Sequence, residues 1–171
     1  MKIKKTKFKD LLIIENVKFN DDRGYFRQIL IEKKIKLKFP FNVISVSKKN
    51  VIRGLHYQVK KPQGKFISVI KGKILDVAVD LRKKSKTFGK HYKTILSEDN
   101  CKSIYIPKGF AHGFSCLGKE NIVIYSCTNY RNQSCERGIL WNDKFLRIDW
   151  KVKKPILSKK DKINPKFRDI F

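Results

Sequence analysis

His56, His91 and His112 are the three histidines of this chain, and two of them sit inside strand-like apolar runs with small residues close by. His56 lies in "NVIRGLHYQ", three residues after Arg53, and His112 lies in "GFAHGFSC". An imidazole titrates near neutrality, so it can take up and return a proton. Gly54, two residues before His56, and Ala111 and Gly113, flanking His112, leave room for a ligand to approach the backbone. His91, in "GKHYKT", has a polar, turn-like context and is expected to be exposed. For any one histidine alone, satisfaction by backbone groups is the ordinary reading.

Other chemistries find less support. There is no H-x-H pair and no H-E-x-x-H, so no metal site is expected. The glycine patterns of a nucleophile elbow, a phosphate loop or a dinucleotide fold are missing. Cys101, Cys116, Cys127 and Cys135 form no C-x-x-C pair and read as reduced structural thiols. What remains is acid–base chemistry on a carbon or oxygen acid. That needs a base near neutrality, a partner to hold its tautomer, a cation for the developing oxyanion and a proton donor. Histidine, aspartate, lysine and tyrosine are all available, and spacing does not say which of them meet.

The elements that must position these groups read as strands. Short apolar alternations are broken by turn signals roughly every ten residues, an all-β pattern. "FISVIKGKILDVAVDL" predicts two strands with a tight turn at Lys71–Lys73. In the second, Leu75, Val77, Val79 and Leu81 share a packing face, while Asp76, Ala78 and Asp80 share one that lines a pocket or meets water. "SIYIPKGFAHGFSCL" predicts two strands about a turn at Pro107–Gly109, and "NIVIYSCTNY" a further one. A short helix is expected near Ile29–Lys36. The tail after Trp150 is expected to pack at one end as irregular structure or a short helix. With 171 residues and 41% apolar content, a single domain over 1–171 is expected.

The chain carries 41 Lys+Arg against 15 Asp+Glu, a net charge of +26. Such a field attracts anions in general. The excess is mostly lysine spread along the chain, not the clustered arginine and aromatic surface of a nucleic-acid reader, so no specific nucleic-acid partner is expected. No apolar run approaches a membrane span, and the basic N-terminus has too short an apolar stretch for a signal core. The expected setting is cytoplasmic.

Taken together, "DDRGYFRQ" (21–28), "KKNVIRGLHYQ" (48–58), "QGKFISVIKGKILDVAVDLRKKSKTFG" (63–89), "IYIPKGFAHGFSCL" (104–117), "IVIYSCTNY" (122–130), "GILWNDKFLRIDW" (138–150) and "LSKKD" (157–161) resemble, in order, the dTDP-4-dehydrorhamnose 3,5-epimerase family. The resemblance runs from about Leu12 to Asp161. It implies a cupin-type jelly-roll β-barrel, a homodimer, and a substrate made of a nucleotide diphosphate and a 4-keto-6-deoxy sugar. It implies no cofactor or metal, because the ketone already acidifies the neighbouring C–H bonds. Family members invert carbon 3, carbon 5 or both.

Position by position, the resemblance makes His56 the general base and Asp161 the carboxylate that orients it. Lys65 matches the cation beside the ketone oxygen, and Tyr125 the acid on the opposite face. Arg23 and Arg53 match diphosphate and substrate contacts. His112 and Glu136 match further contacts, while Gln28, Gln58, Asp76, Tyr130 and Arg131 complete the substrate-facing set. Phe41 and Val43 stand where the family usually has Gln and Asn, Gln28 where many members have Glu, and Arg131 where a base-stacking tyrosine is usual. The catalytic positions are kept while the nucleotide-facing ones drift. The expected activity is epimerisation, most directly of dTDP-4-keto-6-deoxyglucose. The alternatives are a 3-epimerase, a 3,4-ketoisomerase on the same scaffold and, more distantly, a basic nucleic-acid-binding module.

Overall fold

A computed structural model describes all residues, 1–171. Thirteen strands dominate it: β1 Lys2–Lys5, β2 Leu12–Glu15, β3 Lys18–Asp21, β4 Gly24–Arg27, β5 Phe41–Lys48, β6 Ile52–Gln58, β7 Lys65–Lys71, β8 Lys73–Asp80, β9 His91–Ser97, β10 Lys102–Ile106, β11 Phe110–Cys116, β12 Glu120–Cys127 and β13 Glu136–Gly138. Two one-turn helices, α1 Glu32–Ile35 and α2 Lys159–Lys162, accompany them. The first falls within the segment expected to be helical and ends at Lys36 in the left-handed conformation.

Two antiparallel sheets form a jelly roll. One has the order β1-β2-β10-β7-β12-β5 and the other β13-β6-β11-β8-β9, while β3 and β4 make a separate hairpin. Strand alternation explains the layering. Ile67, Val69 and Val123 of the first sheet meet Ile74, Ala78, Phe110 and Phe114 of the second in one buried cluster between the sheets. The intervening residues point outward. On the first sheet, Ile14, Phe66 and Tyr105 are covered by Ile35 and Phe39. On the second, Leu55, Leu75, Val77 and Val79 are covered by Ile139, Leu146, Trp150 and Phe167.

Several expectations need correction. The strands flanking Gly72 are not a hairpin pair, since β7 lies in one sheet and β8 in the other. Gly72, at φ 82°, turns the chain across the gap. The acid-bearing face of β8 neither meets water nor opens on a pocket: it is the inside of the sandwich, where Asp76 and Asp80 are fully buried. The C-terminal segment does not sit at one end but lies across a whole outer face, because the apolar face of β8 and β6 needs a cover. His91 begins β9 and is half-buried, not exposed in a turn. All four cysteines are free and buried.

Candidate active site

A one-residue irregularity in β6 creates the site. His56 is the Cα partner of His112 on β11, but Arg53 is the partner of Phe114, so three steps on β6 span two on β11. The extra residue is a β-bulge. In a regular strand, residues three apart face opposite sides. Here the bulge restores phase, so Arg53 and His56 both face the space between the sheets while Ile52 and Leu55 pack outside. Gly54 carries the bulge at φ 113°, and a Cβ there would lie 2.5 Å from the Gly113 Cα and 2.6 Å from the His112 carbonyl oxygen. Only glycine fits that approach.

The C-terminal segment then delivers the partner of His56. Ile156 bridges in parallel to Val51, its N–H donating to the Asn50 carbonyl and its own carbonyl accepting from the Ile52 N–H. Two residues on, the Ser158 hydroxyl caps α2 by accepting from the Asp161 N–H at 3.1 Å. This places Asp161 Oδ1 2.6 Å from His56 Nε2, with Oδ2 3.5 Å from the Gly54 N–H. Burial alone would raise the Asp161 pKa. The hydrogen bond and charge of His56, with the Gly54 and Ser158 contacts, outweigh it and hold the group below the usual carboxylate value. The carboxylate is therefore ionised and accepts from Nε2–H, which leaves Nδ1 of His56 to take a proton. Asp161 is 4% exposed, whereas the His56 ring is 38% exposed.

That open edge faces a cavity of about 620 Å³ between the sheets, lined also by Arg53, Lys65, Tyr125, Arg131 and Glu136. Lys65 and Tyr125 come from β7 and β12 in the sheet opposite His56. Burial pulls the Lys65 ammonium below the ordinary lysine value, opposed by Cys127, Glu136 and Asp76. Burial likewise pushes the Tyr125 phenol well above its usual value, with Arg53 acting against it and Asp76 with it. A phenol so placed keeps its proton. Along β5, paired to β12 in register, Val43 lies beside Tyr125 and Phe41 beside Cys127. The Phe41 ring continues outward to Tyr130, with centroids 6.2 Å apart. At the rim, Arg131 donates to both oxygens of Glu136, at 2.6 and 3.1 Å, and Lys160 lies 3.6 Å from the same carboxylate.

The other expected residues lie off the cavity wall. Arg23 is exposed on the β3–β4 hairpin and paired with Asp21, and Gln28 follows that hairpin. Gln58 is buried with its amide spent, donating to the Lys61 carbonyl and accepting from the Asn132 N–H. His112 and Asp76 form a closed pair behind the wall. Sequence reading missed Lys160 and Ser158, although both sit in the "LSKKD" stretch that singled out Asp161. No group of three or more His, Cys, Asp or Glu side chains is arranged to hold a metal ion.

Comparison with known proteins identifies relatives of this chain. Residues 5–169 match the model of the family described as dTDP-4-dehydrorhamnose 3,5-epimerase. The chain is 43% identical to the dTDP-4-dehydrorhamnose 3,5-epimerase of Shigella flexneri, over 99% of this chain and 97% of that one. In structure it resembles the dTDP-4-dehydrorhamnose 3,5-epimerase of Elizabethkingia anophelis, with a TM-score of 0.91, 43% identity, and coverage of 99% and 98% of the two chains. It also resembles the Legionella pneumophila dTDP-6-deoxy-D-glucose-3,5-epimerase solved with dTDP-4-keto-L-rhamnose, with a TM-score of 0.94, 38% identity, and coverage of 99% and 94%.

Proposed function

Because the chain belongs to the dTDP-4-dehydrorhamnose 3,5-epimerase family, we propose that it inverts carbon 3, carbon 5 or both in a dTDP-linked 4-keto-6-deoxy sugar, with dTDP-4-keto-6-deoxyglucose as substrate and dTDP-4-keto-rhamnose as product. One observation carries the assignment of roles: a His–Asp pair open to a cavity whose opposite wall holds a lysine and a protonated tyrosine.

In this reading Nδ1 of His56 removes the proton next to the ketone, and Asp161 fixes the tautomer and stabilises the imidazolium. The Lys65 ammonium stabilises the enolate oxygen. Tyr125 returns a proton from the other face. Inversion needs two groups on opposite sides, since a single base acting alone restores the starting configuration. Arg53, with Arg131 and Lys160 at the rim, supplies positive charge for the diphosphate. No step calls for a cofactor. The apolar Phe41 and Val43 and the ion-paired Arg131 face the nucleotide arm, so equilibrium binding of dTDP, UDP, GDP and CDP measures how strictly thymidine is required.

The same reading takes the protein to be a cytoplasmic homodimer. Ile44 and Val46 are exposed on edge strand β5, and Phe19 and Phe26 are exposed on the β3–β4 hairpin, a surface suited to a second copy. No helix is long and apolar enough to cross a membrane. Incubation with dTDP-4-keto-6-deoxyglucose in heavy water, followed by NMR, tests the reaction. Deuterium should enter carbon 3, carbon 5 or both with inversion; its absence from both would overturn the reading. Carbonyl migration to carbon 3 would indicate the ketoisomerase instead.

A further inference from the structure

Behind the cavity wall lies a second histidine–aspartate pair that the reaction above does not use. His112 Nε2 is 2.7 Å from Asp76 Oδ2, with side chains 3% and 0% exposed. The other carboxylate oxygen, Asp76 Oδ1, is buried without any hydrogen-bond partner. A sealed carboxylate with one oxygen unsatisfied is costly. Its place there points to a task beyond packing, because an apolar residue between Ile74 and Ala78 would extend the core.

We propose that Asp76 is a positioning residue of the active site, acting through His112 on Tyr125 and through its charge on Lys65. The proposal rests on the reading that Tyr125 and Lys65 serve the reaction. Three strands carry the contact. Asp76 on β8 fixes the His112 ring on β11, and that ring meets Tyr125 on β12 edge to face, at 5.9 Å and 77°. The last contact crosses from one sheet to the other, so the orientation of His112 sets how far the phenol can swing. Phe114, at 6.1 Å from Tyr125, closes the remaining side.

The charge acts in the same direction on both groups. Lys65 is faced by Cys127 from β12, Glu136 from β13 and Asp76 from β8. Tyr125 is faced by Arg53 from β6, Asp76 from β8, Cys116 from β11 and the Ser45 hydroxyl from β5. A negative Asp76 favours the ammonium over the amine at Lys65 and the phenol over the phenolate at Tyr125. Both are the forms the reaction consumes: Asp76 adds to Cys127 and Glu136 in supporting the ammonium, and to burial in keeping the phenol protonated.

Asp76→Asn tests this, since it keeps the shape and removes the charge. Three readouts are taken with the substrate in heavy water: kcat against pH, KM, and the ratio of inverted product to deuterium exchange. We expect kcat to fall by up to about 10²-fold, the cost of misplacing a reacting group by about 1 Å. KM should change little, the alkaline limb should move to lower pH, and less inversion should accompany each exchange. An unchanged pH profile and ratio, whatever the loss of thermal stability, would overturn the proposal. If Asp76→Asn does not fold, Asp76→Ser gives the same readouts, with space for water at His112 Nε2. Failure of both to fold assigns Asp76 to the fold alone and also overturns it. Wild-type protein that exchanges no deuterium defeats the underlying reaction instead, so the two failures are distinguishable.

Discussion

His56 and His112 stand directly opposite each other across the β6–β11 ladder, and each presents Nε2 to a carboxylate, at 2.6 and 2.7 Å. The pairs differ in access. His56 opens on the cavity, while His112 is closed off between the sheets. Similar chemistry at adjacent positions is thus divided by burial alone, and only one imidazole can reach a substrate.

Removing that imidazole should be decisive. His56→Ala should lower both exchange and epimerisation by about 10²- to 10⁴-fold, the usual contribution of a positioned base. His112 cannot substitute, being sealed. Asp161→Asn should lower kcat more than it raises KM, because it disturbs the tautomer and not the cavity. Steady-state kinetics with NMR exchange rates checks both; full exchange in His56→Ala would remove the base assignment.

Tyr125→Phe should separate the two half-reactions. The base and the oxyanion cation remain, so deuterium should still enter the substrate. Inversion should fall by about 10²-fold for want of the opposing acid. The measured quantity is product configuration per exchange event, and equal losses in both would argue against the phenol as donor.

The alkaline limb of kcat should reflect Lys65. Burial lowers its pKa, so the ammonium is lost, as pH rises, before an ordinary lysine would lose its charge. Activity should therefore decline at a pH below the ordinary lysine value of 10.5. Lys65→Gln should cost about 10²- to 10³-fold in kcat, as for loss of an oxyanion partner, and should abolish the part of that limb owed to Lys65.

Acid stability should depend on Asp80, away from the cavity. Burial would raise its pKa, but hydrogen bonds from Arg82, Thr87 and Ser85 outweigh this and bring it from 3.8 to about 2. A depressed carboxylate stabilises the fold above its unfolded value, and that contribution is lost as pH falls from about 4 towards 2. The difference corresponds to about 2 kcal/mol. Asp80→Asn should lower stability at pH 7 by about that amount and flatten its fall over this window, read by urea denaturation at several pH values.

Gly54→Ala should damage fold and chemistry together. The added Cβ meets backbone on two sides at a positive φ, so destabilisation of about 2 kcal/mol or more is expected. The bulge that turns Arg53 and His56 to the same side would relax or shift. Activity per folded molecule should fall as well, and wild-type kinetics in this variant would show that the bulge does not set the site.

Legibility from sequence followed the range of the forces involved. The turns at Gly72 and Gly109 and the alternation along β8 were readable because they depend on neighbouring residues. Which sheet each strand joins was not, since Gly72 permits a hairpin and a crossing equally well. Alternation gave Asp76 its face but could not show that the face was interior. The pairing of His56 with Asp161 spans 105 residues and came only from the order of motifs shared with a family. Gln58 shows the limit of that route: its motif position is kept, yet here its amide ties the 129–132 loop to the chain near Lys61.

The strip of chain that shields the second sheet from water also brings Asp161 to His56. Until that strip has docked, the imidazole has no carboxylate to orient it. A molecule that loses its C-terminal cover loses chemical competence in the same event, so turnover doubles as a report that the whole polypeptide has been assembled.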